Sequence, residues 1–439
     1  MAVTDRRFWY AMAGIVALAF GLRVGLAAHF VGLDSPPDME AQPDQIDYEN
    51  GAYQLTQGRF MTLDDGTPTA KRTPGTALSL LPAYAAFGRS YTAGRIWFCL
   101  LSSLTCLATG LIALQLVGRR GALISAALLA IYPGHAYHAM HFVSEVPYGL
   151  WLASAAALSI AGVRRGGWKT LIGAGLCWGL AIHCRPQLVL LVPISVLVVA
   201  LLYRWMQSSE WKLMARRFAV QAAVVAALIV PWLVRNQVVM GKATMSSISG
   251  LGLWGAHNAL TFNNPGYRGD WARTSLLEQL TVPLPREEMA KDKEAWRRGM
   301  ESIQANLGKM PLLIGTKLAR FVWPFAETPN AIVRWAFALS WMAILPFIVW
   351  GALVTWKQSR DGAMIILLPT LATLATVVMF YGSIRFRDSI APLFVAMAGI
   401  GMARCLAMIQ AKVRTTTQDA SVLHTMKASE SEGEIRRAA

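Results

Sequence analysis

Charge is scarce in this 439-residue chain. Only 15% of its residues are Asp, Glu, Lys or Arg, while 55% are hydrophobic, a balance that excludes an ordinary water-solvated globular domain. Cysteine is sparse too. Cys99, Cys106, Cys177, Cys184 and Cys405 lie in or at the ends of apolar runs, with neither disulfide nor zinc spacing, and read as small core residues. No Gly-rich phosphate loop follows a strand pattern, which leaves nucleotide binding without support. No internal repeat is visible either, which weakens a transporter reading.

Acid is scarcer than base, with 25 Asp and Glu against 41 Lys and Arg and a net charge of +16. Such a balance would suit a nucleic-acid partner, but the cations form no aromatic-interleaved patch and none is expected. They sit between apolar runs instead. Those runs extend from Trp9 to Leu33 and from Tyr91 to Val117, then start near Gly121, Val143, Thr170, Leu188, Phe218, Val333, Gly362 and Ser389. Each covers, or nearly covers, the ~30 Å of a bilayer core, where a backbone must satisfy its own hydrogen bonds. The expected fold is an all-α polytopic membrane protein of about ten transmembrane helices.

The basic clusters alternate along the chain. Arg6-Arg7, Arg119-Arg120, Arg164-Arg165 with Lys169, Arg204 through Arg217, Lys357 with Arg360, and Lys412 with Arg414 fall in every second connection. The positive-inside rule puts them, and both termini, in the cytoplasm. Arg6-Arg7 and the apolar run imitate a signal peptide, but the run continues and an uncleaved first span is expected. Two long outward loops result, residues 32–90 and 235–330, with shorter outward pieces at 132–144, 183–187 and 381–388. Residues 1–408 form the membrane domain, and the polar tail 409–439 reads as cytoplasmic and disordered. Residues 311–325 carry Lys317 and Arg320, and a span there would reverse the charge bias of the later loops. An interfacial helix fits better.

In the first outward loop, Pro43 is placed to start a helix and Gly58 to stop it. Asp44, Asp47, Tyr48, Ala52 and Leu55 would share one face, so the carboxylates are positioned as well as solvated. Asp44 reads either as a catalytic base or as a first-turn acid that complements the helix dipole. Downstream, Arg72 in Lys71-Arg72-Thr73-Pro74-Gly75 reads as an anion ligand on a rigid turn or as a snorkelling arginine. Glu145 follows His135, His138 and His141. Glu145, His138 and His141 are weak candidates for a divalent metal, with a polar inter-span turn as the plain alternative. Asn258 and His257 line a ligand or form a buried polar turn.

Asp44, Tyr48, Ala52, Leu55 and Gly58, followed by Arg72-Thr73-Pro74-Gly75, resemble the first periplasmic loop of GT-C superfamily glycosyltransferases. That group includes protein O-mannosyltransferases and the aminoarabinose transferases that modify lipid A. Tyr132-Pro133 with Ser144-Glu145, Arg185-Pro186, Pro231-Trp232 with Arg235-Asn236 and Gly241, Gly255 with Asn258, and Arg385-Phe386-Arg387 with Pro392 continue the likeness in order. Gln45 stands where many members carry a second acid, and Thr73 where many carry Pro.

The resemblance implies a GT-C-like helical bundle in a bacterial inner membrane with a periplasmic active site. It also implies transfer of a sugar from a polyprenyl-phosphate carrier to a lipid, glycan or protein hydroxyl. On that reading Asp44 is the base and Arg72, Arg385 and Arg387 hold phosphate. Asp47, Tyr48, Arg185, Arg235 and Asn258 line the substrates, and Glu145 orients an arginine or the acceptor. Membrane lipids surround the bundle. A lipid-linked sugar flippase and an O-antigen ligase or polymerase are the alternatives.

Overall fold

The structure is a computed structural model and describes residues 6–38, 42–191, 194, 210–328 and 330–413. Most of the span expected from Leu188, and the tail from 414 onward, lie outside the described residues.

Helices α1 (Arg6–Phe30), α2 (Asp44–Thr56), α3 (Gly75–Phe87), α4 (Tyr91–Val117), α5 (Arg119–Ile131), α6 (Pro133–Ala139), α7 (Glu145–Arg165) and α8 (Trp168–Cys184) build the first half. The second half holds α9 (Glu210–Met240), α10 (Ser249–Ala256), α11 (Ala259–Asn263), α12 (Thr274–Leu280), α13 (Glu288–Ala305), α14 (Met310–Val322), α15 (Ala331–Gln358), α16 (Arg360–Met379) and α17 (Ile384–Ser389). The last helix, α18, is Ala391–Val413. Among the described residues there is no strand, only an isolated bridge between Thr62 and Pro68.

Among the described residues, seven helices are long and apolar enough to cross a membrane: α1, α4, α7, residues 215–240 of α9, α15, α16 and α18. The chain is a multi-pass membrane protein. The expected ten are not reached among the described residues. Helix α8 has 17 residues and α5 only 13, so by 1.5 Å per residue they run about 25 and 20 Å. Tyr132-Pro133 breaks the run that begins near Gly121 and starts α6 in a new direction. Helix α14, also of 13 residues, is equally short of a span. It buries Leu313, Lys317 and Phe321 at helical spacing and exposes Leu312, Leu318 and Val322.

Helix α7 packs on α8 and α4 through a seam rich in alanine. Apolar side chains gain little by leaving lipid for a neighbouring helix, so small residues that admit close backbone approach dominate such contacts. Gly351 of α15 and Gly401 of α18 take this furthest. A Cβ on Gly351 would stand 1.9 Å from the Met397 carbonyl oxygen, and one on Gly401 2.3 Å from that of Phe347. The cysteines are free thiols, three buried and two partly buried.

A buried charge lies well inside the first span. Arg23 of α1 is 0% exposed. It donates to Ser102 Oγ at 2.7 Å and to the carbonyls of Ala130 and Leu129 at 3.0 and 3.1 Å. The last two are end-of-helix carbonyls of α5. The guanidinium caps a helix that stops short of spanning length.

Candidate active site

Helix α2 starts after Pro43, without a side-chain cap, and carries Asp44 and Asp47 in its first turn, where the helix dipole favours acids. Tyr48 and Ala52 on the same side are buried. The loop after α2 turns at Gly58 and is clamped from the second long loop. Arg235 donates to the carbonyls of Thr69 and Met61, both at 2.9 Å. Glu288 accepts from Thr69 Oγ, Ala70 N and Ser247 Oγ.

Those clamps return Lys71 and Arg72 to α2. Lys71 Nζ lies 2.7 Å from Asp47 Oδ1, and Arg72 Nε lies 2.9 Å from Asp47 Oδ2. Arg72 Nη2 lies 2.6 Å from Asp44 Oδ1, and its guanidinium sits over the Tyr48 ring. At Gly75 the chain passes against the end of α8, where a Cβ would stand 2.4 Å from the His183 carbonyl carbon. That contact brings the next residues of the α8 end, Cys184 and Arg185, beside the first loop.

The other side of Asp44 faces α17, whose start is capped by Ser383. Arg385 bridges two acids there: Nη2 lies 3.4 Å from Asp44 Oδ2 and Nε lies 2.7 Å from Glu145 Oε1. Arg185 Nη1 lies 2.9 Å from the same Glu145 oxygen. Glu145 is 1% exposed, whereas Asp44, Arg72 and Arg385 keep 24, 19 and 28% of their side chains accessible. The cluster is thus open at Asp44 and closed at Glu145.

Burial pushes the Asp44 carboxyl up, but Arg72 and Arg385 outweigh it and hold the group below the usual carboxylate range. Burial raises the Tyr48 phenol, against the pull of Arg72. Burial acts to lower Arg385, yet Glu145 and Asp44 leave it above its ordinary value, a fixed cation.

Of the residues singled out in the sequence, Asp44, Asp47, Tyr48, Arg72, Glu145, Arg185 and Arg385 come together. Three do not, which corrects the expectation. Arg387 is 0% exposed, paired with Asp388 at 3.2 Å, bonded to the Trp323 carbonyl and stacked on Trp341. Two residues apart on one helix turn, Arg385 and Arg387 point to different sides. Arg235 holds loop carbonyls, and Asn258 caps α11 through Leu260 N and Thr261 N. Lys71 and Glu288 were missed as contributors. Lys71 stood beside Arg72 in the sequence, whereas nothing in the sequence linked Glu288 to the first loop.

A metal at Glu145, His138 and His141 is likewise not supported. No group of three or more His, Cys, Asp or Glu among the described residues is arranged to hold one, and Glu145 Oε1 is already ion-paired with two guanidiniums. Burial keeps His138 below the ordinary imidazole value and takes His141 down to about 4.

Residues 71–235 match the family described as dolichyl-phosphate-mannose-protein mannosyltransferase. No curated protein sequence matches the chain. Among solved structures, it is similar to the oligosaccharyltransferase AglB from Archaeoglobus fulgidus in complex with an inhibitory peptide and a dolichol-phosphate, at 13% identity and a TM-score of 0.57. That match covers 94% of this chain and 52% of the other, so the chain spans about half the length of that enzyme. The apo form of the A. fulgidus enzyme gives 14% and 0.53 over the same shares. ArnT from Cupriavidus metallidurans bound to undecaprenyl phosphate aligns over 92% of this chain and 79% of its own, at 17% identity but a TM-score of only 0.40. The chain therefore has the fold of that A. fulgidus enzyme, a GT-C-like helical bundle, and its residues 71–235 are similar to the mannosyltransferase family.

Proposed function

We propose that the chain moves a sugar from a polyprenyl-phosphate carrier to an acceptor hydroxyl at the non-cytoplasmic face of the membrane, with Asp44 as general base. The observation that carries this reading is a half-open carboxylate, Asp44, held between two guanidiniums, Arg72 and Arg385, from opposite ends of the sequence. The alternating basic clusters support an outward position for the loops bearing these residues. The fold is one that, in the A. fulgidus enzyme, holds a dolichol-phosphate and a peptide.

A lipid-linked donor brings an anion to the membrane edge. Arg72 and Arg385 offer it planar forks whose charge is permanent. As phosphate takes up those donors, Asp44 loses ion-pair partners and becomes a stronger proton acceptor. It then removes the acceptor proton while the acceptor oxygen bonds to the anomeric carbon. The bond from that carbon to the phosphate oxygen breaks, and its electron pair leaves on the carrier phosphate, where the arginines stabilise it. One displacement inverts the anomeric centre. Glu145 and Arg185 fix the position of Arg385 from the closed side.

The test is transfer from a polyprenyl-phosphate sugar by purified protein, with product anomer read by NMR. Retention at the anomeric carbon, or flipping of the carrier without transfer, would sink this assignment.

A further inference from the structure

Helix α4 carries its N-terminal end to the Asp44 side of the bundle and its C-terminal end, about 40 Å away by helix rise, to the opposite side. There an open cavity of about 400 Å³ is lined by Val117, Arg119 and Arg120 on one wall and Ala403, Arg404 and Ala407 on the other. Three guanidiniums and three apolar side chains make up that lining, with no carboxylate among them.

Two features raise the positive potential further. Helix α5 begins at Arg119, with no side-chain cap and no acid in its first turn, so its dipole adds to the cations instead of offsetting them. Arg120 is held by a hydrogen bond to Gln410 Oε1 at 2.7 Å. The Nε of Arg404 is shielded from solvent and has no hydrogen-bond partner. A buried donor left unmade costs stability unless a ligand takes it. On its other faces the end of α18 exposes Leu406, Met408, Ile409 and Val413, all about half exposed or more.

We infer that this cavity binds the phosphate of an anionic phospholipid, the guanidiniums of Arg119, Arg120 and Arg404 taking the headgroup while the acyl chains stay in the surrounding bilayer. Guanidinium forks match phosphate oxygens. The cavity's own apolar lining, Val117, Ala403 and Ala407, and its place at the ends of two candidate spans favour a lipid over free phosphate. Nothing in the transfer chemistry calls on these residues.

The experiment uses the full chain in detergent, titrated with phosphatidylglycerol, with phosphatidylcholine and with inorganic phosphate, reading thermal stability and lipid retained in native mass spectra. Phosphatidylglycerol should raise the melting temperature and stay bound, and the other two should not. In R120Q/R404Q its affinity should fall about 10- to 30-fold, from roughly 1 kcal/mol per arginine near a lipid anion. The charge-matched R165Q/K169Q, altering exposed cations at the same end, should behave as wild type. Equal loss in both doubles would reduce the effect to general surface charge and overturn the site. An equal response of wild type to phosphate would overturn the lipid assignment, and no phosphatidylglycerol effect on wild type would overturn the proposal even if a variant fails to fold.

Discussion

Arg385 stands between Asp44 and Glu145, yet its two contacts are unequal: 3.4 Å to Asp44 and 2.7 Å to Glu145. The looser contact is on the open side. A ligand phosphate can take the Nη2 donor from Asp44 without disturbing the buried anchor, so the arginine answers the donor while its backbone stays fixed.

Replacing Asp44 by Asn keeps size and polarity but removes the basic oxygen. Turnover of purified Asp44→Asn should fall by about 10²- to 10⁴-fold, the range for lost general-base assistance, with donor binding nearly intact. Asp47→Asn should cost less, since Asp47 faces Lys71 and Arg72 and has no contact with Arg385. Wild-type turnover in Asp44→Asn would remove the base assignment.

The pH profile offers an independent check. In the free protein Asp44 is held below the usual carboxylate range, so it stays ionised as pH falls through about 4. Any stability it contributes is present above the unfolded carboxyl value and lost only as pH drops through the lower folded one. Once donor phosphate has drawn the guanidiniums away, the carboxyl should titrate higher. The acid limb of kcat should therefore lie at higher pH than that of kcat/KM. Coincident limbs would argue against the exchange of partners.

Arg385→Lys should recover only part of the donor affinity lost in Arg385→Ala, because one ammonium cannot reach both Glu145 and a phosphate as a fork does. Donor titrations of the two variants decide it. Full rescue by Lys would reduce the residue to a point charge.

Arg387→Ala should act on stability instead. Removing one partner of a buried pair leaves Asp388 uncompensated, a loss of about 3–5 kcal/mol, while donor KM in the folded fraction stays unchanged. Thermal unfolding beside donor kinetics separates the two, and a raised KM at wild-type stability would return Arg387 to the phosphate site.

Lys317 of α14 is fully buried, with its Nζ 2.8 Å from His257 Nε2 and 3.1 Å from the Val378 carbonyl. Burial lowers it to about 7 from the ordinary lysine value near 10.5. Between those values the unfolded chain binds the extra proton, so this group's contribution to stability rises with pH and its penalty is greatest below 7. Lys317→Met should raise the melting temperature relative to wild type most at pH 6 and least near pH 10. A difference independent of pH would mean the amine keeps its charge throughout.

The site was partly legible because two of its pieces are local: α2 with Asp44 and Asp47, and the turn bearing Arg72, lie within one loop. Glu145, Arg185 and Arg385 came from the resemblance, whose motifs fall on outward loops in order along the chain. Arg387 was misread because Arg-Phe-Arg looks like one cluster until helix geometry turns the second arginine away. Arg235 and Glu288 act on backbone groups of a loop fold that no residue pattern encodes. Apolar length alone does not reveal where Tyr132-Pro133 turns the chain within the run from Gly121.

Arg23 imposes an order on how the chain is made. Its partners on α4 and α5 follow it by 79 to 107 residues, which at roughly 5–20 residues per second arrive about 4–20 s after it leaves the ribosome. During that interval α1 holds an arginine that hydrocarbon disfavours by roughly 2.5–3.5 kcal/mol at the centre of a span. Helix α1 thus waits at the insertion machinery, or at the bilayer edge, until the short helix it caps has been delivered.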